Sequence, residues 1–190
     1  MAFPFASAEG GRAFFVMSTP SVWRAAGVSN DALGLETMMT GVLLHEGSHV
    51  AQFGAYGARI TAIETASHLP GDDINDDMVQ NRFAENAQFA ASVERETALL
   101  FQIVNMRDEA EARRLAREAR DLMRARQARW YAGADAYLVA AEDTWLTLEG
   151  SGQWVAYQWI VHPAGGDADS DVTLANFARR GRWWSQREGI

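Results

Sequence analysis

Cysteine is absent from this chain of 190 residues, so disulfides and thiolate metal sites are excluded, and the redox compartment cannot be read from cysteine usage. Lysine is absent too. All 17 basic residues are arginine, which points to a GC-rich coding bias more than to a chemical demand. Positive charge is in the minority, and the formal net charge of −8 argues against a nucleic-acid or anionic-membrane partner. No apolar run approaches the roughly 18 residues of a transmembrane span. The opening Met1-Ala2-Phe3-Pro4-Phe5 lacks the basic region and apolar stretch of a secretory leader. A mature periplasmic or secreted chain that had shed its leader would read the same way, so the compartment stays open. The closing Arg187-Glu188-Gly189-Ile190 reads equally as the end of a fragment or as a frayed terminus.

What is present is chemistry on a helix. His45-Glu46-Gly47-Ser48-His49 places two histidines four residues apart, on one helical face, where both imidazoles can reach one metal ion. Glu46 sits about 100° round the helix from His45, beside the metal rather than on it. Zinc lowers the pKa of water, and a carboxylate in that position takes the proton as the water attacks, making Glu46 the expected general base. The neighbouring pattern fits a helix, with Met38, Val42, His45, His49 and Gln52 on one face and Ser29-Asn30-Asp31 as candidate caps. Two exposed histidines on an ordinary helix are the bland alternative. Zinc is the expected metal for nitrogen and carboxylate ligands with one open position.

The rest of the chain reads as mainly α: one domain over residues 1–190, with about five to six helices around the motif helix. With 48% hydrophobic residues it has enough for a sizeable core. Ala13-Phe14-Phe15-Val16-Met17 reads as a short strand. The motif helix is expected over about 32–53, broken by Gly54 to Gly57, with a shorter helix to about Ser67. The acidic stretch from His68 to Asp77 reads as a loop ending in a helix cap, a better account than calcium binding because the calcium-loop spacing is missing. Helices follow over 77–105, 108–130 and 133–161, and Asp169-Ser170-Asp171 is placed to cap a last one carrying Trp183 and Trp184. Arg107, Arg113, Arg114, Arg117, Arg120, Arg124, Arg126 and Arg129 interleave with acids along the second of these, over 108–130. Glu109–Arg113 and Arg117–Asp121 are helical ion pairs, so a solvated face explains the run. The seven Trp are expected in the core.

A hydrolytic zinc site takes three protein ligands and keeps one position for water. No histidine follows His49 at short spacing, so a carboxylate is expected. Glu149 is the first choice, because an unpaired carboxylate in its aromatic, apolar helix would be costly and Gly150 beside it leaves room for close helix approach. Glu96 and then Glu94 are the rivals, and either can instead orient a histidine. Tyr157, Tyr137 and His162 are the candidates for stabilising an oxyanion.

The combination of His45-Glu46-x-x-His49 with a later Trp145-Leu146-x-x-Glu149-Gly150 resembles the gluzincin zinc metallopeptidases, whose third ligand is often a Glu followed by Gly on an antiparallel helix. The same features resemble a group of uncharacterised bacterial proteins with this motif, over roughly residues 40–160. The resemblance implies a metallopeptidase acting on a peptide or protein substrate. Ser151-Gly152-Gln153-Trp154 departs from the family's continuation, so no oxyanion tyrosine is carried over. Two rivals remain. A di-iron or di-manganese carboxylate bundle would use Glu46-x-x-His49 with Glu96 and Glu149, but it wants a second Glu-x-x-His, and residues 65 and 159 are Thr and Trp. A non-catalytic helical protein holding a structural metal is the other. Substrate and oligomeric state are not written in the sequence.

Overall fold

A computed structural model of the chain describes residues 2–6, 13–68, 77–104 and 106–181. It is mainly helical: α1 (Pro20–Ala25), α2 (Leu35–Ser67), α3 (Met78–Phe83), α4 (Ala87–Ile103), α5 (Glu109–Trp130), α6 (Leu138–Val161) and α7 (Ser170–Gly181) follow a two-stranded antiparallel hairpin. The hairpin pairs β1 (Ala2–Ala6) with β2 (Ala13–Met17), the latter on the expected strand. By packing, the chain divides into two compact units, Met1–Thr61 with Asp143–Ala178, and Ala62–Glu142 with Arg179–Ile190. Among the described residues no helix is long and apolar enough to cross a membrane.

In the first unit, Asn30 opens the approach to α2: its Oδ1 accepts from the amides of Ala32 and Leu33, and Gly34 takes a left-handed φ of 76° just before the helix. Trp23, Met38 and Met39 form a buried cluster with Met17, Leu35 and Val42 packed on it, which fixes one face of α2. The break expected from Gly54 to Gly57 is not there. The helix runs through both to Ser67, because an interior glycine costs only about 1 kcal/mol and neither adopts a left-handed φ. α6 lies antiparallel to this part of α2. Gly41 meets Ile160, His45 meets Gly152, and Gln52 reaches Ser151, so numbering rises on one helix as it falls on the other. Asp169 caps α7 by accepting from the amide of Val172.

In the second unit, the helix expected over 77–105 is two helices. The Asn86 side chain accepts from the amides of Gln88 and Phe89, and this cap restarts the chain as α4. Asp108 does the same for α5 through Ala110 and Glu111. α4 and α5 pack together around Phe89, which is fully buried and stacks on Phe83, with Trp130 edge-on. Burying such a ring contributes about 1.5–3 kcal/mol. The acidic stretch at 69–76 and the tryptophans at 183 and 184 lie outside the described residues.

Candidate metal centre

α2 and α6 bring three side chains to a point. His45 Nε2 lies 2.9 Å from His49 Nε2 and 3.2 Å from Glu149 Oε2, and His49 Nε2 lies 3.3 Å from Glu149 Oε1. Among the described residues these three form the one group of acids and histidines spaced to hold a metal ion. The four-residue spacing sets the two imidazoles one turn apart, edge to face with centroids 4.6 Å apart, and both present Nε2 to the same spot. Glu149 arrives from the antiparallel helix and divides its two oxygens between the rings.

The triangle has the size of one face of a zinc tetrahedron. Ligand atoms bound at about 2.0–2.1 Å in tetrahedral geometry stand about 3.3–3.4 Å apart, and the edges here run from 2.9 to 3.3 Å. Three lone pairs converging on one point repel one another unless a proton or a cation lies between them, and a cation satisfies all three at once. The surroundings carry the same signature. His45 Nδ1, Glu46 Oε2 and Gln52 Oε1 are buried without a hydrogen-bond partner, within two helical turns of α2. Buried polar groups are seldom left unpaired, so three on one short segment mark a site completed by something other than protein. The donor set therefore fits a divalent cation, with His45, His49 and Glu149 as its ligands.

Burial opposes charge on Glu149, but hydrogen bonds from His45 and His49 together outweigh it and lower its carboxyl pKa to about 2. A cation in place of the imidazole protons would favour the same ionised form. Its side chain keeps 39% of its surface exposed, whereas the imidazoles keep 12% and 15%. The site opens on the Glu149 side.

Close helix approach is enforced at Gly152, not at Gly150 as the sequence led us to expect. A β-carbon on Gly152 would stand 2.7 Å from His45 Nδ1, whereas one on Gly150 would meet nothing within 4 Å. The helix period explains the difference. Gly150 lies about 100° round α6 from Glu149 in one direction, and Gly152 about 60° in the other, toward His45. Gln52 and Ser151 were not singled out as a pair by the sequence. Gln52 shares the face of His45 and His49, and its Nε2 donates to Ser151 Oγ at 2.8 Å.

Neither rival ligand belongs to this group. Glu94 is exposed on α4. Glu96 is buried, with Oε1 and Oε2 accepting from Arg126 Nε and Nη2 at 2.8 and 2.9 Å. Both of its oxygens are engaged, which removes the carboxylate that the dinuclear reading needed. Two of the oxyanion candidates have partners of their own. The Tyr157 hydroxyl is hydrogen-bonded to Ser170 at 2.7 Å, and His162 Nδ1 accepts from the Ala164 amide at the far end of α6, about 20 Å along the axis from Glu149. Tyr137 precedes α6, and burial followed by the Asp135 charge raises its pKa. Trp154 departs from the core expectation, being 53% exposed and stacked on Tyr157.

Comparison of the chain with protein-family models, with curated proteins and with solved structures gives no match.

Proposed function

We propose that this protein is a zinc-dependent hydrolase, most simply a metallopeptidase cleaving a peptide or amide bond. One observation carries the reading: two imidazole Nε2 atoms and a carboxylate from an antiparallel helix form a triangle of 2.9, 3.2 and 3.3 Å edges, with a second carboxylate on the motif helix left unpaired. His45, His49 and Glu149 would hold the ion. Bound there, zinc lowers the pKa of water and polarises the scissile carbonyl. Glu46 supplies what the ligands cannot. Its Oε2 has no protein partner, so it is free to accept the proton of the attacking water and pass it to the leaving amine. With the imidazoles largely buried and Glu149 partly exposed, a substrate would reach the three ligands from the Glu149 side.

A carboxylate poised as a base has no task in a purely structural metal site, and this favours an enzyme over a structural zinc protein. The likeness to gluzincins in the His-Glu-x-x-His and Glu149-Gly150 segments supports the same choice. The test joins metal analysis to a hydrolysis assay on a mixed peptide library. Wild type is expected to hold one zinc per chain and cleave, and His49→Ala and Glu149→Ala to lose zinc on mild chelation. Glu46→Gln is expected to keep zinc and lose hydrolysis by about 100-fold or more, because an amide cannot take the proton. Equal zinc in wild type and His49→Ala would end the reading. A Glu46→Gln protein that lost its metal would make Glu46 a ligand instead.

A further inference from the structure

We infer that Gln52 and Ser151 form a positioning latch that sets Glu149 on the metal. The inference rests on reading His45, His49 and Glu149 as a metal site. Gln52 stands three residues beyond His49 on α2, and Ser151 two residues beyond Glu149 on α6, so their hydrogen bond ties the helices beside the ligands themselves. The bond is directional. Ser151 Oγ donates to the Leu148 carbonyl at 2.8 Å, which commits its proton and leaves its lone pairs to accept from Gln52 Nε2 at 2.8 Å. Leu148 is the residue immediately before Glu149, so the chain of bonds runs from Gln52 through Ser151 to the backbone carrying the ligand.

The other half of the amide argues that this bond is not there for stability. Gln52 Oε1 is buried without a partner. A leucine fills a similar volume with no orphaned acceptor, and Ser151 Oγ left behind still donates to the Leu148 carbonyl at 2.8 Å, so the replacement strands no buried donor. What the glutamine adds is the hold on Ser151. Glu149 most needs such a hold among the three ligands, for it is the most exposed and sits on a different helix from the histidines. Gly152 sets how near α6 comes to His45, since a β-carbon there would stand 2.7 Å from Nδ1. The latch fixes the rotation and register of α6 at that distance.

The experiment is a competition titration of zinc against a fluorescent chelator on the full-length chain, beside thermal melting of the zinc-free protein. Gln52→Leu and Ser151→Ala are each expected to weaken zinc binding by about 10–100-fold, the usual effect of removing a group that orients a ligand. The zinc-free melting temperature is expected to stay where it was. The double variant is expected to be no weaker than either single one, because both remove the same bond. Ser151→Thr, which keeps the hydroxyl, is expected to keep the affinity. If wild type binds zinc and both single variants match it within about twofold, far short of that loss, the latch is overturned while the metal centre stands. Affinity loss that only follows a lowered melting temperature also overturns it, since that is what a purely structural bond predicts. A wild type that binds no zinc removes the metal centre, and the latch with it.

Discussion

Two buried polar clusters, one in each compact unit, use similar side chains in opposite ways. In the second unit Arg126 is the hub. It holds Glu96 with two parallel bonds, donates Nη1 to the Tyr131 hydroxyl at 2.8 Å, and pairs with Glu142 Oε1 at 2.9 Å. Gln127 and Tyr131 supply Glu142 with two further bonds at 2.9 and 3.0 Å. Burial and the Glu142 charge raise the Tyr131 pKa. Burial alone would lower that of Arg126, but the Glu96 bond and the Glu142 charge outweigh it and raise it. None of these side chains is left with an unpartnered buried atom. In the first unit His45, Glu46 and Gln52 each keep one. A polar cluster that closes on itself does its work by holding the fold, whereas one that stays open among buried groups is completed by a ligand.

That contrast predicts different penalties. The largest belongs to the closed cluster. Arg126→Leu leaves the Glu96 and Glu142 carboxylates buried with no cation, and removing one partner of such a network costs about 3–5 kcal/mol. Denaturant unfolding is expected to show a loss of that size, with the zinc content of the folded fraction unchanged. Replacing Glu96 and Glu142 by apolar residues as well is expected to recover most of it, since an apolar core of similar volume avoids the desolvation. A cost below about 1 kcal/mol for Arg126→Leu would place it with exposed pairs such as Arg113–Glu109 and break the comparison.

The open site was far more legible in the sequence than the closed one. His45, Glu46 and His49 are neighbours on one helix, so the helical period alone settles their relation, and Glu149 follows from the cost of a carboxylate among Trp145, Leu146 and Leu148. Arg126 was hidden among the arginines of α5, all of which read as a solvated face. The other six are exposed, and Arg126 is not. The signal was there: Arg126 falls on the stripe of Leu115, Ala119 and Met123 rather than opposite it. The pairing of Asp121 was also misjudged, since it takes Arg120 at 2.8 Å and not Arg117, one side chain reaching as well as the other from an exposed position. Helix bounds failed at Gly54–Gly57 and at Asn86. In one case packing overrode a weak propensity, and in the other a single cap outweighed a run of helix formers.

A middle-sized effect tests the open site without touching a ligand. Gly152→Ala places a methyl group 2.7 Å from His45 Nδ1 and 2.9 Å from Cε1, so the ring must move. Metal ligands tolerate displacements of only about 0.2 Å, and zinc affinity is expected to fall by at least about tenfold. Stability is expected to change less. Overpacking costs about 1–3 kcal/mol, while alanine in a helix returns about 1 kcal/mol relative to glycine. The chelator titration and a denaturant melt on the same samples separate the two. Unchanged affinity would mean that His45 is not held where α6 crosses it.

The smallest effect comes two residues earlier and has the opposite sign. Gly150 also lies inside α6, next to Glu149, and on sequence alone it was the residue that would let the helices meet. A β-carbon there meets nothing within 4 Å, and its φ is not left-handed. Nothing local then demands glycine. Gly150→Ala removes conformational freedom from the unfolded chain and is expected to raise stability by about 0.5–1 kcal/mol. Zinc affinity and hydrolysis are expected to stay at wild-type values, because the methyl group points away from the His45 side of the helix. Gly150→Ala and Gly152→Ala thus make a matched pair in one helix, with the same substitution and the same propensity gain. Only the geometry facing α2 differs. Should Gly150→Ala lose zinc while Gly152→Ala keeps it, α6 would be rotated from the orientation described, and Glu149 would no longer point between the two histidines.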